Sequence, residues 1–409
     1  LAGYLRSHFA EAVLRLHPDE PNVGEREVDE PSAEVGEQEV SDVRRLVDML
    51  APIKPINYPI RKKNRRAVFL LSPPRSGSTL FRVMLAGHDR LFSPPELELL
   101  CFNTLTDRRD EYANVPGQWL EGLVRTVMET HGCSVEAARQ RMQDWEQNGT
   151  PIQEVYREFQ EQLGDRILVD KTPSYAGRLP FLERAEELFD EPLYLHLLRH
   201  PCGMIRSYTD YNMHEAFQIR FKVDEPIPFS PRQIAELVWV VSHQNILKLF
   251  EKVPAARRHR VRFEDAVGRP EATMRGVCDF LGLDYQSEMI YPYDHPERKM
   301  VDGVVSQDRM HGDQKFLVKH KAIDPKVANA WREHLTGDFL GGPARALAAA
   351  FGYDDLPPKR QESAVDAVVA EISNQALDAR ELLANLDQLS DQEVERLLMQ
   401  VVDGGNASR

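Results

Sequence analysis

Apolar residues along this chain follow two rhythms. Short unbroken runs, Ala67-Val-Phe-Leu-Leu71, Ile167-Leu-Val169 and Leu193-Tyr-Leu-His-Leu-Leu198, each lead straight into a polar cluster, as buried parallel strands do. Arg260-Val-Arg-Phe263 is a fourth, shorter run. Between them, apolar residues recur at helical spacing and predict helices over Ser78 to Gly87, Pro116 to Thr130, Val135 to Gln147, Ile152 to Gln162, Arg178 to Leu188, Pro231 to Lys252 and Pro270 to Leu281. Strands alternating with helices predict an α/β fold with a central, mostly parallel sheet flanked by helices. Such sheets bind ligands beyond the carboxyl ends of their strands. Chemistry is therefore expected in the polar clusters that follow the strands.

The flanks read differently. Leu5, Phe9, Val13 and Leu16 share one helical face, and Pro18 to Val40 is a Glu-, Asp-, Pro-, Gly- and Ser-rich stretch that predicts a solvated linker. A short helix over Val43 to Leu50 and a Pro-punctuated basic stretch to Arg66 follow. Residues 1–62 thus read as an N-terminal helix and acidic linker, 63–356 as the main domain, and 357–409 as a C-terminal helical extension. In that extension Ser390-Asp-Gln-Glu393 is a capping box ahead of Val394, Leu397, Leu398 and Val401 on one face.

The first strand ends in Ser72-Pro-Pro-Arg-Ser-Gly-Ser-Thr-Leu80. A strand, a tight loop and a helix make an anion cradle, because the first-turn amides and the helix dipole both face the loop. Gly77 lets the backbone approach a phosphate, Ser76, Ser78 and Thr79 supply hydroxyls, and Arg75 supplies a permanent planar cation. The triphosphate pattern GxxxxGK[ST] needs a Lys where this chain has Ser78. The donor expected here transfers a group less charged than a γ-phosphate. A second cluster, Leu197-Leu-Arg-His-Pro-Cys-Gly-Met-Ile-Arg-Ser-Tyr208, places Arg199 at a strand end and Ser207 about two helical turns on, suited to a second phosphate. By itself Arg199 could equally be a structural ion-pair residue.

The formal net charge of -14 argues against a general nucleic-acid binder. Four scattered cysteines without a CxxC pair or metal-ligand spacing fit reduced thiols in a cytoplasmic protein and no metal. No stretch reaches the roughly 20 apolar residues that span a bilayer, and no secretory signal opens the chain. Starting at Leu1, it reads as a piece of a longer polypeptide or as a processed terminus.

Pro-Arg-Ser-Gly-Ser-Thr-Leu followed by Leu-Arg-His-Pro and, five residues on, Ser resembles the two signatures of the sulfotransferases that use 3′-phosphoadenosine 5′-phosphosulfate (PAPS). The resemblance covers roughly Ala67 to Tyr353, including Arg262-Phe-Glu-Asp265 and Phe280-Leu-Gly-Leu283, and implies a P-loop-like sulfotransferase fold. It implies that Arg75, Ser76, Gly77, Ser78 and Thr79 hold the 5′-phosphosulfate and that Arg199 and Ser207 hold the 3′-phosphate. Arg75 would also serve catalysis, and adenosine 3′,5′-bisphosphate would be the product. Glu96, in Ser93-Pro-Pro-Glu-Leu-Glu-Leu-Leu100, matches the catalytic base, its backbone stiffened by two prolines. Glu98 reads as a solvated surface residue. Lys171, in Asp170-Lys-Thr-Pro-Ser174, would steady the departing phosphate, with an exposed pair to Asp170 as the plainer reading. His243 and Arg206 are acceptor-side candidates, His243 equally a structural histidine. Gly312-Asp-Gln-Lys-Phe316 would close over the nucleotide, and Tyr208 to Pro231 would form a flap.

Leu1 to Leu16 resembles the last helix of an acyl-carrier domain or a helix beside one, and Leu382 to Leu398 resembles an inter-domain or terminal helix of modular polyketide synthases, though the latter equally suits an amphipathic surface helix. Among those synthases, the curacin-type, olefin-forming ones embed a sulfotransferase. That resemblance implies an acyl carrier protein bearing a phosphopantetheine-linked β-hydroxyacyl substrate, and a downstream thioesterase that leaves a terminal alkene. A free-standing cytoplasmic sulfotransferase of small hydroxylated metabolites is the alternative. A non-catalytic nucleotide-binding domain is disfavoured by the presence of both Glu96 and Lys171.

Overall fold

Five short strands form the centre: β1 (Val68–Leu71), β2 (Leu91–Phe92), β3 (Ile167–Asp170), β4 (Leu193–Leu198) and β5 (Arg258–Arg262). They hydrogen-bond in the order β2-β3-β1-β4-β5, and every pairing is parallel. β1 and β4 are buried throughout, as their unbroken apolar runs require. In this computed structural model, residues 34–50, 53–113, 121–215, 229–301, 316, 321–335 and 338–356 are described. The expected N-terminal helix, most of the acidic linker, the segment Gly312 to Lys315 and the extension from 357 lie outside them, as do residues 216–228 of the flap.

The helices are α1 (Glu37–Leu50), α2 (Ser78–Leu85), α3 (Leu105–Glu111), α4 (Glu121–His131), α5 (Val135–Gln147), α6 (Ile152–Gln162), α7 (Leu179–Leu188), α8 (Pro201–Asp210), α9 (Pro231–Lys252), α10 (Phe263–Gly268), α11 (Pro270–Leu281) and α12 (Gly342–Ala350). Three apolar clusters fill the space on the two sides of the sheet and beneath α9. Boundaries follow local chemistry. Ser230 forms a capping box with Gln233 at the start of α9, and Pro231 supplies the first-turn proline. Gly282 adopts φ 69° and ends α11. None of the described helices is long and apolar enough to cross a membrane.

Two segments depart from the sequence reading. Residues from Glu34 onward, expected in a solvated linker, instead dock on the core: Val35 and Val40 are buried, and α1 begins six residues before the expected Val43. Composition there is acidic, but Val40 and Val43 fall at helical spacing, and Arg44 donates to Gln244 and Asn245 at 2.8 Å. The two-residue strand β2 was not foreseen, since so short a run carries no periodicity. It matters because it delivers Ser93 to Glu96 to the carboxyl edge of the sheet.

Candidate active site

The order of the strands collects five loops at one edge. β1 lies between β3 and β4, so Ser72 to Gly77, Lys171 and Arg199 emerge side by side, with Glu96 following β2 and Phe263 following β5. These are the ends of the strands where ligands of parallel sheets bind.

The two signatures touch. The Arg199 Nη1 donates to the Arg75 carbonyl at 2.6 Å, and the Arg75 Nε donates to the Ser207 Oγ at 3.2 Å. The Arg75 guanidinium lies over the Tyr211 ring, 3.8 Å from its centre. Arg75 adopts φ 61°, a left-handed backbone that costs a non-glycine residue about 1–2 kcal/mol. Such strain persists only where surrounding contacts overrule it, and here it turns a fixed cation into the loop. Ser76 is fully buried, and its Oγ has no hydrogen-bond partner among the described residues. Gly77 caps α2 without any side-chain bond, and first-turn amides of a helix have no intrahelical acceptor. Two guanidinium groups, an unpartnered hydroxyl and a helix start together fit a bound phosphate or sulfate.

Gly77 has a second reason to be glycine. At φ 81°, an added Cβ would lie 2.2 Å from Phe263 Cδ2. The Phe263 ring thus fills the space under the loop, and its face meets the Arg199 guanidinium at 4.8 Å. Glu264, next along, accepts from the His200 amide at 2.9 Å and from the Tyr353 hydroxyl at 2.9 Å. Phe263 and Glu264 therefore brace both signatures from β5. Their signal in the sequence is the Arg262-Phe-Glu-Asp265 segment at the end of the fourth run, but nothing in the sequence says which loop they meet.

Beside this cradle the Lys171 Nζ donates to Glu96 Oε1 at 2.5 Å. Lys171 pairs with Glu96 rather than with its neighbour Asp170. The lysine side chain is 3% exposed and the glutamate 20%, so the carboxylate is the partner that reaches solvent. Burial lowers the Lys171 pKa, and the Glu96 charge works against that shift. Arg82, unnoticed in the sequence, is buried within α2 and donates to the carbonyls of Ser93, Lys299 and Met300 at 2.9, 2.8 and 3.3 Å. Burial lowers its pKa to about 10, with the Glu96 charge opposing. It remains a cation at neutral pH, near the Glu96–Lys171 pair.

Glu98 is not the solvated residue expected. It sits at φ 51°, partly buried, and accepts from Ser174 Oγ at 2.7 Å and Tyr112 OH at 2.9 Å. The Cys101 thiol lies 4.0 Å away, and none of the four cysteines is in a disulfide. The left-handed turn at Glu98 folds its side chain back against Ser174, which a reading of exposed sequence could not anticipate.

His243 and Arg206 stand apart from the pair. His243 is fully buried in α9, its Nδ1 2.9 Å from His196 Nε2, its ring packed against Trp239 and Phe351. Burial lowers its pKa to about 3, so it is neutral at any working pH. That geometry fits the structural reading of His243 rather than proton transfer to an acceptor. Arg206 donates to the Ala330 carbonyl at 2.6 Å and approaches Asp210 at 3.4 Å, tying α8 to the following turns.

An anion cradle at the same sheet edge as a part-buried carboxylate–ammonium pair fits a group-transferring enzyme of the parallel α/β class. Residues 67–287 match the model of the sulfotransferase family. The chain belongs to that family. It is 38% identical to the sulfotransferase domain of the olefin synthase from Synechococcus PCC 7002, covering 74% of this chain and all of that one, with a TM-score of 0.65. The sulfotransferase domain of the curacin biosynthetic pathway is 36% identical over 72% of this chain and all of that one, also with a TM-score of 0.65. Nodulation protein NoeE of Sinorhizobium fredii is 27% identical over 283 residues, 66% of this chain and 60% of that protein's length.

Proposed function

We propose that this chain moves a sulfuryl group from PAPS to the β-hydroxyl of an acyl chain carried on an acyl carrier protein. The single observation that carries the reading is the meeting of Arg75, Arg199 and Ser207 beside the Glu96–Lys171 pair. Arg75, Ser76, Gly77, Ser78 and Thr79 hold the 5′-phosphosulfate, and Arg199 and Ser207 hold the 3′-phosphate. When bound, PAPS supplies the activated sulfuryl group. Glu96 takes the proton from the acceptor hydroxyl, and its partial exposure gives the acceptor access to it. Lys171 directs its charge to the phosphate oxygen that departs, a fixed cation where negative charge develops. Neither step calls on a metal, and the product is adenosine 3′,5′-bisphosphate.

The carrier-bound acceptor is supported by the likeness to sulfotransferase domains of the olefin synthase and the curacin pathway, and a downstream thioesterase and a cytoplasmic setting are proposed along with it. The test follows adenosine bisphosphate release with PAPS and matched acceptors, one β-hydroxyacyl group on a carrier protein and the same group free. Faster turnover of the carrier-bound form is expected. A preference for the free acceptor would assign the chain to small metabolites instead, and no turnover with any hydroxyl acceptor would overturn the reading.

A further inference from the structure

Asp170 is the last residue of β3, 1% exposed, and it forms no ion pair among the described residues, where the adjacent Lys171 pairs with Glu96. Its carboxylate is held by three hydroxyls: Tyr156 OH at 2.5 Å and Tyr175 OH at 3.1 Å donate to Oδ2, and Thr172 Oγ1 donates to Oδ1 at 2.8 Å. A hydroxyl has one proton and two lone pairs. With their protons committed to Asp170, Thr172 and Tyr175 turn their lone pairs outward. Both meet the segment that carries Glu96. Thr172 Oγ1 accepts from the Leu97 amide at 3.2 Å, and Tyr175 OH accepts from the amides of Leu99 and Leu100 at 2.9 and 3.3 Å. From the other side α4 presses on the same segment, where a Cβ at Gly122 would lie 2.2 Å from the Glu96 carbonyl.

We infer that Asp170 is a positioning residue for the reaction: through Thr172 and Tyr175 it fixes the backbone that presents Glu96 to Lys171. The inference rests on the proposed role of Glu96. Asp170 adjoins Lys171 in the chain, so one buried carboxylate sets both members of the pair in register. Among the described residues its side chain bonds to Tyr156, Thr172 and Tyr175 and not to Arg75, Ser76 or Arg199 of the donor cradle. In Asp170→Asn one side of the group offers N–H to a hydroxyl that already accepts a loop amide, and that hydroxyl must turn. Tyr175→Phe removes the acceptor for two amides and leaves the ring in place, and Thr172→Val removes the acceptor for Leu97.

Two measurements test this. In hydrogen exchange followed by mass spectrometry, the peptide spanning Ser93 to Cys101 should exchange about tenfold faster in Tyr175→Phe and Asp170→Asn, with peptides of β1 and α2 unchanged. Turnover should fall about tenfold with the KM for PAPS unaltered. In a Glu96→Gln background Tyr175→Phe, which acts on the loop alone, should lower the residual rate no further. Unchanged exchange in the Ser93 to Cys101 peptide would overturn the inference, as would a second tenfold loss on top of Glu96→Gln. Should Asp170→Asn fail to fold, Tyr175→Phe and Thr172→Val decide alone. If wild-type protein transferred no sulfuryl group at all, the proposed function would fall, and the exchange measurement would still decide what holds the loop.

Discussion

Replacing Glu96 by Gln, with and without Lys171→Met, separates chemistry from stability at the pair. The single change leaves an ammonium 3% exposed beside a neutral amide. Breaking a buried ion pair from one side costs about 3–5 kcal/mol. Two features reduce that here to about 2–3 kcal/mol. Glu96 is one-fifth exposed, so part of its charge was already solvated, and burial lowers the Lys171 pKa against the Glu96 charge, so without that charge the lysine holds its proton less tightly. Removing both charges with residues of similar volume restores the lost stability, because two desolvated ions are replaced by apolar contact. Activity should not follow. Loss of a positioned base lowers turnover by about 10²–10⁴, and the double variant lacks the leaving-group cation as well. Urea unfolding gives the stability of each variant, and adenosine bisphosphate release gives its rate. Recovery of both stability and turnover in the double variant would refute the reasoning, since it would make the pair a structural ion pair only.

Three further outcomes are expected. Gly77→Ala should destabilise the protein by about 2–4 kcal/mol, the sum of a left-handed alanine and a displaced Phe263 ring, and should weaken PAPS binding in calorimetry because that ring also supports Arg199; unchanged affinity would remove Phe263 from its bracing role. Arg199→Ala should raise the Kd for adenosine bisphosphate about tenfold or more while the Glu96 environment is unaffected, and an unaltered Kd would end the assignment to the 3′-phosphate. For His243 the folded pKa of about 3 lies below the unfolded 6.5, so its contribution is complete above pH 6.5 and is lost as the pH falls toward 3. From pH 6.5 to 5 that amounts to about 2 kcal/mol. In urea titrations at pH 7 and pH 5, His243→Gln should show a pH dependence smaller than wild type by that amount, and equal dependence would mean that His243 is solvated.

What the sequence alone determined was local. Unbroken apolar runs ending in polar clusters placed three of the five described strands and the loops that follow them, because burial on both faces leaves that pattern in a parallel strand, and the shorter Arg260 to Phe263 run marked the end of the half-exposed β5. The loop at Arg75 to Thr79 and the Arg199 to Ser207 segment were legible for the same reason, as was the resemblance to sulfotransferases. The tertiary structure decided how these pieces meet. Strand order set Lys171 opposite Glu96 instead of Asp170, turned Glu98 inward at a left-handed residue, and put Phe263 under Gly77. It also buried Arg82, Asp170 and His243, polar residues among apolar neighbours whose pattern does not say which polar side chain is taken inside. Those outcomes depend on contacts between residues tens of positions apart, and periodicity carries no information about which distant strand end a side chain will face.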